Sequence, residues 1–133
     1  MAGQGTEERV MSDRYLHTEL IFDAETVAAS ADTTSDAIDL NKYRPEGYFS
    51  LQVTITGTGT AQIEFQLSNN GVDYYEPSGS DDIVTAHTAT SGPGADGKDT
   101  YRFEPDPARF LKIKVTETGG ANAVVVTATL LVQ

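Results

Sequence analysis

Side chains suited to acid–base or nucleophilic chemistry are few in this sequence. It contains two histidines, His17 and His87, and no cysteine. A hydrolase needs a nucleophile, a base and an orienting group within hydrogen-bond reach. Neither histidine belongs to a recognised motif such as G-x-S-x-G or H-E-x-x-H, so we interpret His17 as an outward residue of a strand and His87 as a surface or turn residue. The sequence therefore favours a protein that is not an enzyme, and it predicts neither a cofactor nor a zinc site.

Two glycine-rich loops carry carboxylates of the kind that bind calcium. Asp81 and Asp82 lie in "SGSDD", and Asp96 and Asp99 lie in "GADGKD". Calcium prefers carboxylate and carbonyl oxygens, but neither loop has the spacing of an EF-hand, and Lys98 lies inside the second. We interpret both as solvated acidic loops. A carboxylate pair for glycoside hydrolysis could come from distant strands, although the chain has no tryptophan to serve as a sugar platform.

The charge balance limits the partners of the chain. Its 133 residues include 20 acidic and nine basic side chains, which gives a net charge of −11. A phosphate-binding surface needs clustered Lys and Arg, so this balance argues against nucleic acid as a partner, and it disfavours anionic lipid. The N-terminal residues lack the apolar core of a signal peptide, and the most apolar run, residues 123–132, is too short to span a bilayer. We expect the chain to be made in the cytoplasm.

Basic residues nevertheless cluster locally. Lys112 and Lys114 alternate outward on one predicted strand, with Arg109 just before it and Arg102 on a neighbouring predicted strand. Such a stripe suits docking of an acidic partner. Outward lysines also protect an edge strand from aggregation. Both interpretations stay open, and we take Arg109, Lys112 and Lys114 as candidate partner-binding residues.

Period-two alternation of apolar and polar residues predicts the elements that carry these side chains. It recurs in residues 48–56, 61–67, 111–115 and 124–132, each with one apolar face and one polar face. In the first predicted strand the residues expected to share a face are Leu16, Thr18, Leu20 and Phe22. No segment of ten or more residues shows a helical period. Seven to nine short strands separated by turn residues indicate an all-β fold, an antiparallel β-sandwich of the jelly-roll or Ig-like type.

Length and composition indicate one domain with an extension. Residues 1–14 are polar and carry few apolar anchors, so we expect a flexible N-terminal arm there. The β-sandwich domain is predicted to cover residues 15–133. The arm and the first predicted strand add Arg9, Arg14 and Tyr15 to the candidate partner-binding residues.

A turn signal follows the second strongly alternating segment. The stretch "QLSNNGVDYYE" turns at Asn70-Gly71 and continues into Tyr74 and Tyr75, which we expect on opposite faces. It resembles the S-N-D-G-x-x-W/Y hairpin of β-sandwich domains in tailed-phage virion proteins and in discoidin-like carbohydrate-binding modules. The flanking segments "AIDLNKYRPEGYFSLQVTITGTGT" and "RFLKIKVTETGGANAVVVTATLLV" resemble those of small phage structural proteins. Tyr stands here in place of Trp, and Asn70 in place of Asp.

This resemblance covers about residues 36–133 and implies a virion structural protein. A capsid decoration (cement) protein is the first expectation, located in the virion, bound to the major capsid protein or to other virion subunits, and homo-oligomeric, for example trimeric. A tail-tube, head–tail adaptor or fibre subunit is a second possibility. A carbohydrate- or receptor-binding module that uses Tyr74 and Tyr75 is a third. The sequence leaves these open, because a fold does not fix a function.

Overall fold

Nine strands and one helical turn make up the fold in the computed structural model, which describes residues 16–43 and 45–133. The expected arm, with Arg9, Arg14 and Tyr15, lies outside the described residues. No helix in the described part of the chain is long and apolar enough to cross a membrane. The elements are β1 (His17–Val27), β2 (Asp32–Thr34), β3 (Ile38–Asp39), α1 (Leu40–Tyr43), β4 (Phe49–Gly57), β5 (Ala61–Ser68), β6 (Val84–His87), β7 (Lys98–Phe103), β8 (Phe110–Glu117) and β9 (Val124–Val132).

The strands form two antiparallel sheets that pack as a sandwich. Sheet A has the order β1-β9-β4-β7, and sheet B has the order β2-β8-β5-β6, with β3 also paired to β8. The pairs are nested along the chain: β1 with β9, β2 and β3 with β8, β4 with β7, and β5 with β6. This nesting is the winding of a jelly roll, in which a long antiparallel ribbon is folded over into two sheets. The predicted β-sandwich is confirmed, and the strand order selects the jelly roll over the Ig-like alternative.

Apolar side chains from alternate positions of both sheets fill the space between them. Period-two alternation places one side of each strand in the core and the other outside, and the four strongest predicted segments become β4, β5, β8 and β9. Sheet B contributes Ile63 and Phe65 from β5, and sheet A contributes Leu51 and Ile55 from β4. All four are at most 6% exposed. The core therefore follows the sequence pattern directly.

The alternation predicted for β1 is wrong at Phe22. Leu20 pairs with Thr129 of β9 and Phe22 with Ala128, so Ile21 has no partner and forms a bulge. A bulge shifts the phase of alternation by one residue. Phe22 is consequently buried, whereas Leu16 and Leu20 are 54% and 53% exposed on the outside of sheet A.

One end of the sandwich is closed by the carboxylate of Glu117, a buried residue at the end of β8. It accepts four backbone N–H bonds of 2.7–3.0 Å, from Ser30, Thr60, Gly119 and Gly120. These donors belong to the β1–β2, β4–β5 and β8–β9 turns. The four hydrogen bonds hold the pKa of Glu117 at about 2, and they outweigh the opposing effect of burial. A single side chain thus ties three turns together.

Replacing Leu130 by Ala is expected to lower the free energy of unfolding by about 2–5 kcal/mol, because it leaves a cavity between the sheets. Leu131→Ala is the matched control, since Leu131 is the next residue of β9 and faces outward. Leu130 is fully buried and Leu131 is partly exposed. Denaturant unfolding of both variants measures the difference, and equal losses would contradict the assigned facing of β9.

Replacing Glu117 by Gln is expected to lower the melting temperature by at least about 5 °C at pH 7, because an amide nitrogen would meet backbone donors. The folded-state pKa of Glu117 lies below the ordinary value of 4.5. The stabilisation is therefore complete above pH 4.5 and is lost as the pH falls toward 2. Melting curves of both proteins between pH 7 and pH 3 test this. A difference that grows toward low pH would contradict it.

Candidate functional site

The Ser68–Asp73 turn satisfies its polar groups internally. The side-chain oxygen of Asn70 accepts hydrogen bonds of 2.9 Å from the backbone N–H groups of Val72 and Asp73. The Asn70 side-chain nitrogen donates to the Asp73 carboxylate, at 3.0 Å. Gly71 has a φ of +76°, a conformation that suits glycine, and its N–H donates to the Ser68 hydroxyl, at 2.9 Å. The resemblance to a turn motif therefore reflects a structural role for Asn70.

Tyr74 and Tyr75 do not form a common aromatic platform. The Lys112 ammonium lies 4.2 Å from the centre of the Tyr74 ring, a cation–π contact on the outer side of sheet B. Tyr75 instead pairs through its backbone with Leu67, and its side chain is 68% exposed. It borders a groove of about 340 Å³ that is also lined by Asn69, Asp73 and Pro107 among others. Tyr75 is thus the more exposed of the two rings, and Tyr74 is partly buried and in contact with Lys112.

The predicted basic stripe is divided by the structure. Lys112 contacts Tyr74, and Lys114 lies opposite Glu64 in the β8–β5 register. The Arg109 guanidinium lies 5.1 Å from the centre of the Phe110 ring. Arg102 belongs to β7 in sheet A, so its expected place on a neighbouring strand is wrong.

The alternative role of these lysines, protection of an edge strand, is also wrong. β8 lies inside sheet B, between β2 and β5. An interior strand has its backbone groups paired on both sides and offers no edge for strand addition. The sequence could not show this, because strand order depends on long-range pairing.

Three carboxylates meet on the outer side of sheet B. Oxygens of Glu64, Glu76 and Asp82 all lie within 4.8 Å of one another, and Asp82 accepts a hydrogen bond of 2.7 Å from the Gln62 side chain. Burial, followed by a hydrogen bond to Glu76 and the charges of Glu76 and Asp82, raises the pKa of Glu64 to about 7, while Lys114 acts in the opposite direction. The hydrogen bond between Glu64 and Glu76 accounts for their close approach, and we assign no metal to the cluster.

The other loop carboxylates that the sequence singled out serve local backbone bonds. Asp96 accepts from the N–H of Lys98 at 3.2 Å, and Asp99 accepts from the N–H of Thr100 at 2.7 Å. Asp81 lines a cavity of about 450 Å³ beside Ser80 and Asp82. Of the four loop carboxylates, Asp82 is thus the one that lies in a cluster of carboxylates. Its contact with Glu64 could not be predicted, because the two residues are far apart in the sequence.

The interpretation of His87 as a surface or turn residue is wrong, because His87 is fully buried. Its Nε2 lies 2.9 Å from the carbonyl oxygen of Gly97, and its Nδ1 lies 2.7 Å from the Tyr101 hydroxyl. The carbonyl can only accept, so Nε2 carries the proton, and in the neutral ring Nδ1 accepts from Tyr101. Burial and the charge of Asp99 raise the pKa of Tyr101, which keeps that hydroxyl protonated. The pair holds the 88–97 loop against β4, where the same Gly97 carbonyl accepts from Ile55 at 2.9 Å.

His17, expected on the outward face of a strand, is half-buried. Its ring stacks on Tyr43 of α1 with 3.8 Å between centroids, and its Nε2 lies 3.5 Å from a Glu19 carboxylate oxygen. The β1 bulge explains the difference, because it places odd-numbered residues of the first half of β1 toward the core side. His17 and His87 lie at opposite ends of the sandwich, so the structure does not bring the two histidines together.

The outer face of sheet A differs from the rest of this acidic chain. The outward positions of β4, β7 and β9, all of which are described, contain no Asp or Glu; they are Ser50, Gln52, Thr54, Thr56, Lys98, Thr100, Arg102, Val125, Thr127, Thr129 and Leu131. Three exposed apolar side chains adjoin them at one end: Leu16 and Leu20 of the β1 side, and Tyr48 just before β4. We call this surface the outer face of sheet A. The charged residues among its named positions are Lys98 and Arg102, both on β7.

A double-mutant cycle at His87 and Tyr101 is expected to show coupling. His87→Leu should lower the free energy of unfolding by about 2–4 kcal/mol, because it removes the two hydrogen bonds of a fully buried ring, to the Gly97 carbonyl and to the Tyr101 hydroxyl. In the double variant His87→Leu/Tyr101→Phe, the loss in free energy of unfolding should be about 1 kcal/mol smaller than the sum of the losses in the two single variants. Thr85→Ala, at an exposed position of β6, is the control. Equal stability of His87→Leu and Thr85→Ala would contradict the assigned hydrogen bonds.

Comparisons with protein-family models and with curated protein sequences gave no match. Among solved structures, the VP2 protein of the infectious bursal disease virus subviral particle is similar, with a TM-score of 0.56 and 12% identity. The likeness covers 91% of this chain and 33% of VP2. This chain therefore spans about a third of that protein.

Two further structures are similar at lower TM-scores. The SPBc2 prophage-derived protein YomS has a TM-score of 0.43 and 12% identity, with 88% of this chain and 93% of YomS covered. The CBM22-1 xylan-binding domain from Paenibacillus barcinonensis has a TM-score of 0.45 and 10% identity, with 90% and 92% covered. At such identities the likeness to these proteins is one of fold alone.

Proposed function

We propose that this protein is a structural subunit of a virus particle, a capsid decoration protein of the tailed-phage type that binds the capsid surface and catalyses no reaction. The observation that carries the proposal is the outer face of sheet A. In a chain with a net charge of −11, the outward positions of β4, β7 and β9 carry no carboxylate, and the exposed carboxylates Asp23 and Glu25 lie on the edge strand β1. An acidic protein partner therefore meets no carboxylate at those outward positions. Charge depletion at the centre of a contact surface is also the compositional feature of protein–protein interfaces.

The composition of this face suits a flat protein partner. Its threonine and serine hydroxyls can form hydrogen bonds, while Leu20 and Leu131 supply apolar area beside them. Lys98 and Arg102 lie along the β7 margin and would attract acidic groups at the rim of a contact. The face thus combines a neutral centre with a basic edge.

The size of the face favours binding by several copies at once. The three strands β4, β7 and β9, spaced about 4.8 Å apart and about eight residues long, give roughly 400 Å². This is below the roughly 800 Å² per partner of a standard stable interface. A single copy would therefore bind weakly, and a homo-oligomer would gain affinity by engaging several capsid subunits together.

The fold is compatible with this role. VP2, whose TM-score exceeds 0.5, is the protein of a subviral particle. Since one fold serves many functions, this likeness adds less weight than the outer face of sheet A.

A second candidate function is carbohydrate or receptor binding at Tyr75. The exposed ring beside the 340 Å³ groove favours it, because an aromatic ring can stack on a sugar. The engagement of Tyr74 with Lys112 leaves one ring where sugar platforms usually need two or three. The capsid-surface proposal therefore has the stronger geometric basis.

Charged substitutions on the outer face of sheet A are expected to weaken binding to capsids at least tenfold, because they bury a carboxylate in the contact. Leu20→Asp and Thr129→Glu are suitable, since the two residues are cross-strand partners and Leu20 is exposed. Co-sedimentation with purified capsids of the phage that carries the gene measures binding, and circular dichroism confirms folding.

Gln66→Glu, on the outer side of sheet B, and Tyr75→Ala are the matched controls, and both should bind like the wild type. Binding that survives Leu20→Asp and Thr129→Glu would overturn the proposal. Loss of binding in Tyr75→Ala alone, with binding to a glycan array by the wild type, would establish the second candidate instead.

A further inference from the structure

The loop of residues 76–82 is attached to sheet B by carboxylates at both of its ends. Glu76 at its start and Asp82 at its end each lie next to Glu64 of β5, with oxygens of all three within 4.8 Å. Asp82 is also fixed by the Gln62 side chain, at 2.7 Å. Two ends of one loop therefore meet at a single titratable side chain.

Backbone hydrogen bonds to β5 fix the chain on either side of this loop. The loop itself is held to sheet B by contacts of its side chains. Tyr75 exchanges two bonds with Leu67, at 2.9 and 3.0 Å, and the N–H of Ile83 donates to Ile63, at 2.9 Å. Between these anchors, the Ser80 N–H and hydroxyl both donate to the carbonyl of Pro77, within the loop. Gly79 adds backbone freedom, with a φ of +76° and no atoms near the position of a Cβ.

The loop covers a cavity at the end of the sandwich. This space of about 450 Å³ is lined by residues 78–83 on the loop side and by Phe65 and Phe103 at its floor. Arg102, Glu104 and Asp106 complete its wall. The cavity is partly open to solvent, and movement of the loop would widen it and expose Phe65 and Phe103, which are 6% and 9% exposed.

We propose that the 76–82 loop is a proton-controlled lid over this cavity, closed while Glu64 is protonated and released when Glu64 ionises. A protonated Glu64 donates a hydrogen bond to Glu76 and leaves two negative charges at the cluster. Ionisation places a third negative charge among them in a half-buried site. The groups that face Glu64 are Glu76 and Asp82 from the loop and Lys114 from β8, and one lysine does not balance three carboxylates. The outward residues of β6 beside it, Thr85 and Ala86, carry no charge.

The pH range follows from the two states of the lid. The pKa of Glu64 is about 7 with the lid closed, mainly because of burial, and would return toward 4.5 once the loop has moved away. Because the closed lid binds the extra proton, its stabilisation relative to the open lid is complete below pH 4.5 and is lost as the pH rises through 7. The lid is expected to be closed at pH 5.5 and looser at pH 8.

Amide hydrogen exchange of residues 76–82 in the isolated protein tests the proposal. Protection factors, corrected for the intrinsic pH dependence of exchange, should fall roughly tenfold between pH 5.5 and pH 8. EDTA is present throughout, so that the proton is the only ligand titrated. Protection in β4 and β9 should stay unchanged over this range, because the core does not contain the cluster.

Glu64→Gln provides the decisive variant, since the amide retains a donor to Glu76 and cannot ionise. Its lid should stay protected at both pH values, whereas Glu25→Gln, which removes an exposed carboxylate of β1, should respond like the wild type. Equal protection of wild-type residues 76–82 at pH 5.5 and pH 8 would overturn the proposal. A Glu64→Gln protein that keeps the wild-type response would do the same. No capsid enters this experiment, so its outcome is independent of the proposed function.

Discussion

Burial of alternate side chains between two sheets is the constraint on which the other features of this protein depend. Each strand must place one set of residues in the shared core, and the opposite set then faces outward with no further choice. The core therefore fixes which residues face outward but not what types they are. The differences between the two outer faces bear on function for that reason. The outward residues of sheet A are mainly threonine, serine and leucine. Sheet B instead has Lys112, Lys114 and Glu64 on its outer side, and the 76–82 loop contacts Glu64.

Two carboxylates of sheet B are stabilised in different ways. At one end of the sandwich, the Glu117 carboxylate accepts hydrogen bonds from four backbone N–H groups and holds three turns together. On the outer side of sheet B, Glu64 of β5 meets Glu76 and Asp82, with too few donors for three charges. Hydrogen bonds from several amides stabilise an ionised carboxylate, whereas like charges oppose it. The same chemical group is thus held ionised at Glu117 and is responsive to protons at Glu64.

Most side chains that suggested a chemical or binding role in the sequence contact other groups of the protein in the folded chain. His87 and Tyr101 bond each other and the Gly97 carbonyl, Asn70 completes its own turn, and Lys112 lies on Tyr74. A polar group that is satisfied within the protein has less to offer an external ligand. The outward positions of β4, β7 and β9 carry no carboxylate and, among the described residues, are not covered by another element, which is why the proposed function depends on them.

The sequence by itself determined the all-β class and the inward residues of β4, β5, β8 and β9, because period-two alternation is a local property of each strand. It also indicated the turn at Asn70-Gly71, since a left-handed backbone conformation selects glycine and an asparagine side chain bonds the amides that follow it. Only the tertiary structure decided the strand order, and with it the interior position of β8, the burial of His87 and the phase shift in β1 at Phe22. The tertiary structure alone places Asp82 next to Glu64. It also joins Glu117 to Thr60 and Ser30, which lie 57 and 87 residues away in the chain. These contacts arise from pairing between distant segments, and no local pattern of residue types records which segments will pair.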